Sequence, residues 1–304
     1  MAEAADLSDL SAFIDVARAR SFRGAARLRG VSPSALSEAI RRLEGRLNVR
    51  LLNRTTRSVT PTDAGHRLLE RLSPALAEVR AAVSSLDDFR GGTSGTLRLN
   101  VPGAVSDLVL ASILTRFLTA YPSIEVEVVV EERFIDVLAA GFDAGIRYGD
   151  ALERDMIAIP IGPRVQRFVT AASKTYLQRH GTPQHPRDLL DHVCIRFKFP
   201  SGNIPAWGFK RNNKAMKISP RGQLIANRIA LQLAAARAGL GIIHNFEGFL
   251  TPSIERNELV PILEDWSEQF TGPFLYFSSR RHMPGPLRAF VDFVKADLRA
   301  PPAA

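Results

Sequence analysis

A chain of 304 residues with 45% apolar side chains is long enough for two or three domains with cores of their own. Its single cysteine, Cys194, excludes an intrachain disulfide framework, and the flanking Val193 and Ile195 mark it as a small buried strand residue rather than a redox switch. The formal net charge is +9; the N-terminus lacks a basic n-region and an apolar h-region, and no apolar run approaches about 18 residues, so a soluble cytoplasmic protein without a membrane partner is expected.

The stretch Ser21–Glu44 reads as two short helices joined by a tight turn. Ser21 and Ser32 stand where a hydroxyl accepts from the orphan amides of a helix start, and Pro33 suits the first helical position. Ala25 and Ala26 permit a close crossing. Leu36, Ile40, Leu43 and Leu47 recur at helical spacing, which predicts one buried face and leaves Ser34, Ser37, Glu38, Arg41 and Arg42 pointing elsewhere. Between Arg18 and Arg57 there are eleven arginines against two acids, Glu38 and Glu44, a local excess equal to the net charge of the whole chain. A basic block on a helix-turn-helix is the electrostatic footprint of phosphate binding to double-stranded DNA. Residues 49–60 then carry apolar and β-branched residues on both sides of a basic tip, which predicts a two-stranded wing with Arg54 and Arg57 at its tip. Asn48 occupies the left-handed position after the second helix.

From Leu7 to about Phe89 the chain resembles the winged helix-turn-helix and linker helix of LysR-type transcriptional regulators. The resemblance is carried by Phe13, Ser21-Phe22, Ala25-Ala26, Val31-Ser32, Ala35-Leu36-Ser37, Ile40, Leu43-Glu44, Leu51, Arg54 and Thr62-x-x-Gly65. Two positions depart from the family pattern: Asn48 stands where Gly is usual, and Pro33 replaces a Gln that would offer a base-reading amide. The expected DNA-contacting set is Ser32, Pro33, Ser34, Ser37, Glu38, Arg41, Arg54 and Arg57.

A long helix is predicted from Thr62, its N-cap, with Asp63 favourable in the first turn. Leu69, Leu72, Leu76, Val79, Val83 and Leu86 alternate in steps of three and four, a heptad seam that needs a partner. The expected partner is a second copy of the helix in a homodimer, as the resemblance also implies, with the chain's own second domain as the alternative. Pro74 should kink or weaken one turn.

Gly91–Gly95 is a flexible joint by composition. Beyond it, strands at Thr96–Val101, Ile124–Val130 and Phe142–Arg147 alternate with helices at Leu108–Leu118 and around Ile135–Ala140, which argues for a parallel sheet covered by helices. A second set comprises strands at Phe168–Ala172, Val193–Phe197 and Gly241–His244 with helices at Lys174–Gln178, Ile229–Ala238 and Phe246–Glu255. The chain crosses back near Glu264–Phe270 to a strand at Phe274–Ser278 and a helix at Pro286–Leu298. The predicted class is therefore α/β: a winged helix-turn-helix over residues 1–61, a linker helix over 62–90, and over 91–302 a two-lobed periplasmic-binding-protein type II domain, as the resemblance implies. Its lobes are expected at about 93–164 with 270–302, and about 165–269.

Ligands of open α/β sheets bind at the carboxyl ends of strands, where helix N-termini also point free amides. Those loops carry Pro102–Ser106, Arg133, Arg147-Tyr148, Arg196-Phe197, Asn227 and His244-Asn245. The family resemblance places Gly103, Ala104, Arg133, Arg147, Phe197, Asn227 and His244 along the effector cleft. The abundance of arginine points to a small organic acid, with Arg147 as its clamp. Duller roles compete: interlobe ion pairs for the arginines, helix capping for Asn227, a satisfied core position for His244, and packing for Trp207 and Trp266.

Catalysis finds no support. His180, His185, His192 and Cys194 fit no zinc spacing, no Gly-x-Ser-x-Gly elbow is present, and Gly239-Leu-Gly241 lacks the dinucleotide-loop pattern. No cofactor or metal is expected. The leading reading is an effector-controlled transcription factor, a homodimer or homotetramer with RNA polymerase as a further candidate partner. The alternative is a solute-binding receptor of transport type without a DNA role.

Overall fold

The computed structural model describes residues 6–54, 59–84, 94–133, 140–149, 156–212, 214–278 and 283–299. The N-terminal head packs α1 (Leu7–Ala19), α2 (Phe22–Arg29) and α3 (Pro33–Leu47) around Phe13, Val16, Ala25, Ala26, Leu36, Ile40 and Leu43. Each helix begins at a side-chain acceptor: Asp6 for the Ser8 amide, Ser21 for Gly24 and Ser32 for Ala35. Each ends at a left-handed residue, Arg20, Gly30 or Asn48, the last at φ 50°. The apolar stripe of α3 is one turn shorter than its periodicity, because Leu47 extends beyond the core and is exposed. The wing pairs β1 (Leu52–Arg54) with β2 (Val59–Pro61) antiparallel; its predicted tip residue Arg57 lies outside the described residues.

Helix α4 (Asp63–Ser84) runs on through Pro74. Thr62 Oγ1 accepts from the Gly65 amide at 3.1 Å and donates to the Arg50 carbonyl at 2.8 Å, so one hydroxyl caps α4 and ties it to the wing. The heptad seam is divided. Leu69 and Leu72 are partly buried and Leu76 is only 8% exposed, all three packing on the head's own core, whereas Val79 is 48% exposed. The first half of the seam therefore has a partner within the chain, because α1 lies against it. The Val83 side chain and Leu86 lie outside the described residues.

The remainder forms two sheets. The first has the order β4 (Ile124–Val130), β3 (Gly95–Val101), β5 (Ala144–Arg147), β15 (Phe274–Ser278), β6 (Met156–Pro160). Helix α5 (Gly103–Val105) continues through a π-helical stretch, Ser106–Leu110, into α6 (Ala111–Ala120). This run of 18 residues is apolar enough to cross a membrane by composition, but Val105, Val109, Leu110, Ile113 and Phe117 are buried against the sheet and against Leu287, Phe290 and Val294 of α10 (Gly285–Asp297). It is a core helix. Residues 91–93 of the joint predicted at 91–95 and most of the helix expected near 135–140 lie outside the described residues, and Gly95 already begins β3.

The second sheet has the order β11 (Ile225–Ala226), β8 (Cys194–Phe197), β12 (Ile242–Phe246), β7 (Val165–Ala172), β13 (Val260–Ile262). Helices α7 (Lys174–His180), α8 (Ile229–Arg237) and α9 (Glu247–Glu255) pack on it, and the hairpin β9 (Trp207–Arg211) with β10 (Lys214–Ile218) covers one face. Neither sheet is purely parallel, contrary to the alternating pattern. In the first, β15 is antiparallel to β5 and β6; in the second, β7 is antiparallel to β12 and β13. The cause is the crossings. Strand β14 (Gln269–Thr271) pairs with the start of β7, so β7 enters its sheet, and the chain returning through β14 enters the other, against the local strand direction.

Candidate nucleic-acid interface and effector cleft

On α3, Ser32, Pro33, Ser34, Glu38 and Arg41 are exposed and Ser37 is half-buried. Ser32 Oγ lies 2.9 Å from Ser34 Oγ while capping the helix, which presents a short polar surface at its first turn. Arg42 points back to the buried Asp9 at 2.7 Å and belongs to the head's framework; that hydrogen bond raises the guanidinium pKa.

Arg54 does not project from the wing. Its Nη2 lies 2.8 Å from Glu44 Oε2, its Nη1 reaches Ser37 Oγ at 3.4 Å, and its guanidinium stands 5.2 Å over the Phe22 ring. Glu44 Oε1 also accepts from the Leu51 and Leu52 amides at 2.9 and 3.1 Å. This carboxylate joins α3 to the wing backbone. Its significance was hidden in sequence, where Glu44 is one of two acids in a basic block.

At the receptor domain the predicted effector residues separate into different environments. Gly103, at the start of the α5–α6 run, donates its amide to Glu132 Oε1 at 2.8 Å, so the chain's own carboxylate holds that helix start. Ala104 is half-buried beside it.

Arg147 is not a free clamp. Nη1 donates to the Asn100 and Ile146 carbonyls at 3.1 and 2.8 Å; Nη2 donates to Asn100 Oδ1 and to the Arg133 carbonyl. Four of the five N–H donors of a guanidinium are thereby used, leaving no parallel pair for a carboxylate. Burial lowers its pKa. Arg133 itself is exposed.

Phe197, at the end of β8, is half-buried and meets Phe199 edge-on at 4.9 Å. Asn227 is exposed just before α8, which begins without a side-chain cap, so the capping role does not account for it. His244 lies between Trp207, 18° from parallel at 5.0 Å, and Phe168, at 5.2 Å, with Nδ1 2.8 Å from Thr170 Oγ1. Burial lowers its pKa to about 3, which keeps the ring neutral.

An aromatic group missed in sequence sits where the two crossing strands meet. Phe168 contacts Phe246 and Phe270, each at 4.8 Å, and Tyr148 contacts Phe246 at 5.3 Å. Tyr148 donates to Gln166 Oε1 at 2.9 Å, and burial raises its pKa. Arg167 pairs with Glu247 beside them, which lowers the Glu247 pKa. The available signal was an aromatic at the end of each of β5 and β12, with partners on both crossing strands.

The histidine-rich stretch is structural. Tyr176 Oη accepts from the Val193 amide at 2.9 Å and meets His192 Nδ1 at 3.2 Å, while His185 and Asp188 cap the turn Pro186–Leu190. Burial pushes the Cys194 thiol up to about 12. Among the described residues no group of three or more His, Cys, Asp or Glu is placed to hold a metal ion. Trp266 meets His185 edge-on at 4.8 Å and lies under Arg211 at 5.5 Å, a packing role.

Comparison with known proteins bears on both halves. Residues 7–66 match the bacterial regulatory helix-turn-helix protein, lysR family, and residues 90–299 match the LysR substrate binding domain. The chain is 40% identical over 290 residues to an uncharacterized HTH-type transcriptional regulator of Escherichia coli, YcaN, covering 95% of each. It is 35% identical to the HTH-type transcriptional regulator PgrR of the same organism, over 95% of this chain and 97% of the relative. The full-length structure of the Vibrio cholerae virulence activator AphB superposes with a TM-score of 0.67 at 27% identity, covering 96% of this chain and 99% of the other. A receptor domain joined to a helix-turn-helix leaves no support for a transport receptor without a DNA role. The chain belongs to the LysR family of DNA-binding transcriptional regulators, with an N-terminal winged helix-turn-helix and a C-terminal two-lobed effector-binding domain.

Proposed function

We propose that this regulator reads operator DNA with Ser34, Ser37, Glu38 and Arg41 on α3, approached through Ser32 and Pro33, and that Arg57 contacts the flanking backbone or minor groove while Arg54, held by Glu44, keeps the wing against α3. The observation that carries this reading is the capped α3 with its polar face inside a segment of eleven arginines and two acids. Paired α4 helices join two copies through Val79 and Val83, with Leu86 of the predicted seam beyond the end of α4 as a further contact and Leu69, Leu72 and Leu76 fixing α4 to each head. Exposed Val130 on edge strand β4 and Ile225 on edge strand β11 support a second pairing, of receptor domains, that makes a tetramer.

A small organic acid between the lobes shifts the spacing of the heads without a chemical step, and no cofactor or metal takes part. Residues 165–269, with fourteen Lys and Arg against eight Asp and Glu, support an acid as the ligand class. The protein acts in the cytoplasm, where it recruits or blocks RNA polymerase. Genome-wide footprinting of the bound protein, followed by gel-shift titration of the recovered sites at several salt concentrations, tests the reading. Sequence-independent binding at all salt concentrations would refute it.

A further inference from the structure

The second sheet contains a positive charge without a counter-charge. Arg196, half-buried on β8, reaches one acceptor, the Gly222 carbonyl, at 3.3 Å from Nη2. Its Nε is buried and has no hydrogen-bond partner, and among the described residues no carboxylate pairs with it. A buried donor without an acceptor is destabilising, and more so when it carries charge. By contrast Arg147 has four of its five N–H donors on oxygen acceptors and Arg167 is paired with Glu247.

The surroundings favour an anion. The parallel ladder pairs Ile242 with Cys194 and Ile243 with Ile195, and Arg196 on β8 and His244 on β12 are the next residues of the two strands. His244 is in turn opposite Thr170. Among Arg196, His244 and Thr170 the guanidinium is the single formal charge, since His244 is held neutral by burial. The half-buried pair Phe197 and Phe199 lies at the end of the same strand and offers apolar surface.

We propose that Arg196 anchors the acid group of the effector, the role that Arg147 cannot fill. This rests on the effector-controlled reading and adds to it the residue that selects for charge. A water molecule at Nε would satisfy one donor and leave the charge unmatched, whereas a carboxylate accepts two parallel N–H bonds from a guanidinium.

The test uses benzoate and its uncharged isostere benzamide, titrated calorimetrically into the full-length protein. Benzoate should bind at least about tenfold more tightly than benzamide. Arg196→Gln should reduce benzoate to the benzamide level, and Arg196→Lys should keep part of the difference because it retains charge but not the fork. Since the charge is unmatched in the free protein, Arg196→Gln should melt no lower than the parent. A fall of more than about 5 °C would mark the residue as structural and overturn the proposal. Equal benzoate affinity in parent and Arg196→Gln, or no benzoate binding at about 10 mM, overturns it as well. DNA binding by the unchanged protein, followed in the same preparation, tests the regulator reading separately.

Discussion

Replacing Glu44 by Gln should weaken DNA binding, although it removes a negative charge from a surface that must meet phosphates. The carboxylate is 14% exposed and accepts from two wing amides and from Arg54, itself 29% exposed. Gln keeps one oxygen for the amides but turns an NH2 group toward the guanidinium. A hydrogen bond to a charged group contributes about 1.5–3 kcal/mol, and partial exposure of this pair reduces the loss to roughly 1–1.5 kcal/mol. Against it stands the relief of repulsion between Glu44 and phosphate, about 0.4 kcal/mol for unit charges roughly 10 Å apart in water, and less in physiological salt. Loss of wing anchoring is the larger effect, so the Kd should rise about threefold to tenfold if the anchoring energy is expressed in binding. Glu44→Ala, which also strands the Leu51 and Leu52 amides, should lower the melting temperature further. Fluorescence anisotropy with a labelled operator at three salt concentrations, alongside thermal melting, measures both effects. Unchanged or tighter binding by Glu44→Gln, with an unchanged melt, would refute the coupling of wing to recognition helix.

The two halves of α4 should respond differently: Leu76→Ala should cost the head about 2–4 kcal/mol, while Val79→Asp should break the α4 pairing and halve the mass of the oligomer in light scattering with little effect on the melt. Gly65→Ala should destabilise the head by about 2 kcal/mol or more, because the added Cβ would stand 2.1 Å from the Leu51 carbonyl oxygen; thermal melting checks this. For His244 the folded pKa, about 3, lies below its ordinary 6.5, so the unfolded chain binds more protons between those values and stability falls as pH drops through that window. The slope should approach about 1.4 kcal/mol per pH unit and be smaller in His244→Gln, as melts between pH 7.5 and 5 would record.

The head was legible in sequence because its determinants are local. A cap needs an acceptor three residues from an amide, and a C-terminal stop needs one left-handed residue, so Ser21, Ser32, Asn48 and Thr62 could be assigned from spacing alone. Helix and strand periodicity likewise located most elements of the receptor domain. The hairpin β9–β10 and strand β6 escaped, being short and defined by the partners they pair with. Direction within the sheets escaped too, since it is decided by where β7 and β14 cross and not by the composition of either strand.

The same distinction governs the charges. Sequence identifies Arg54, Arg147 and Arg196 as equivalent guanidiniums near strand or wing ends. Tertiary structure gives Arg54 to Glu44 and Arg147 to the backbone around Asn100 and Arg133, and leaves Arg196 with one carbonyl and a buried donor unmet. A helix or strand signal is carried within a short window of chain, whereas the availability of an arginine depends on acceptors brought to it from distant segments. Apart from the adjacent Ile146 carbonyl, those acceptors lie 10 and 17 residues away for Arg54, 14 and 47 for Arg147, and 26 for Arg196.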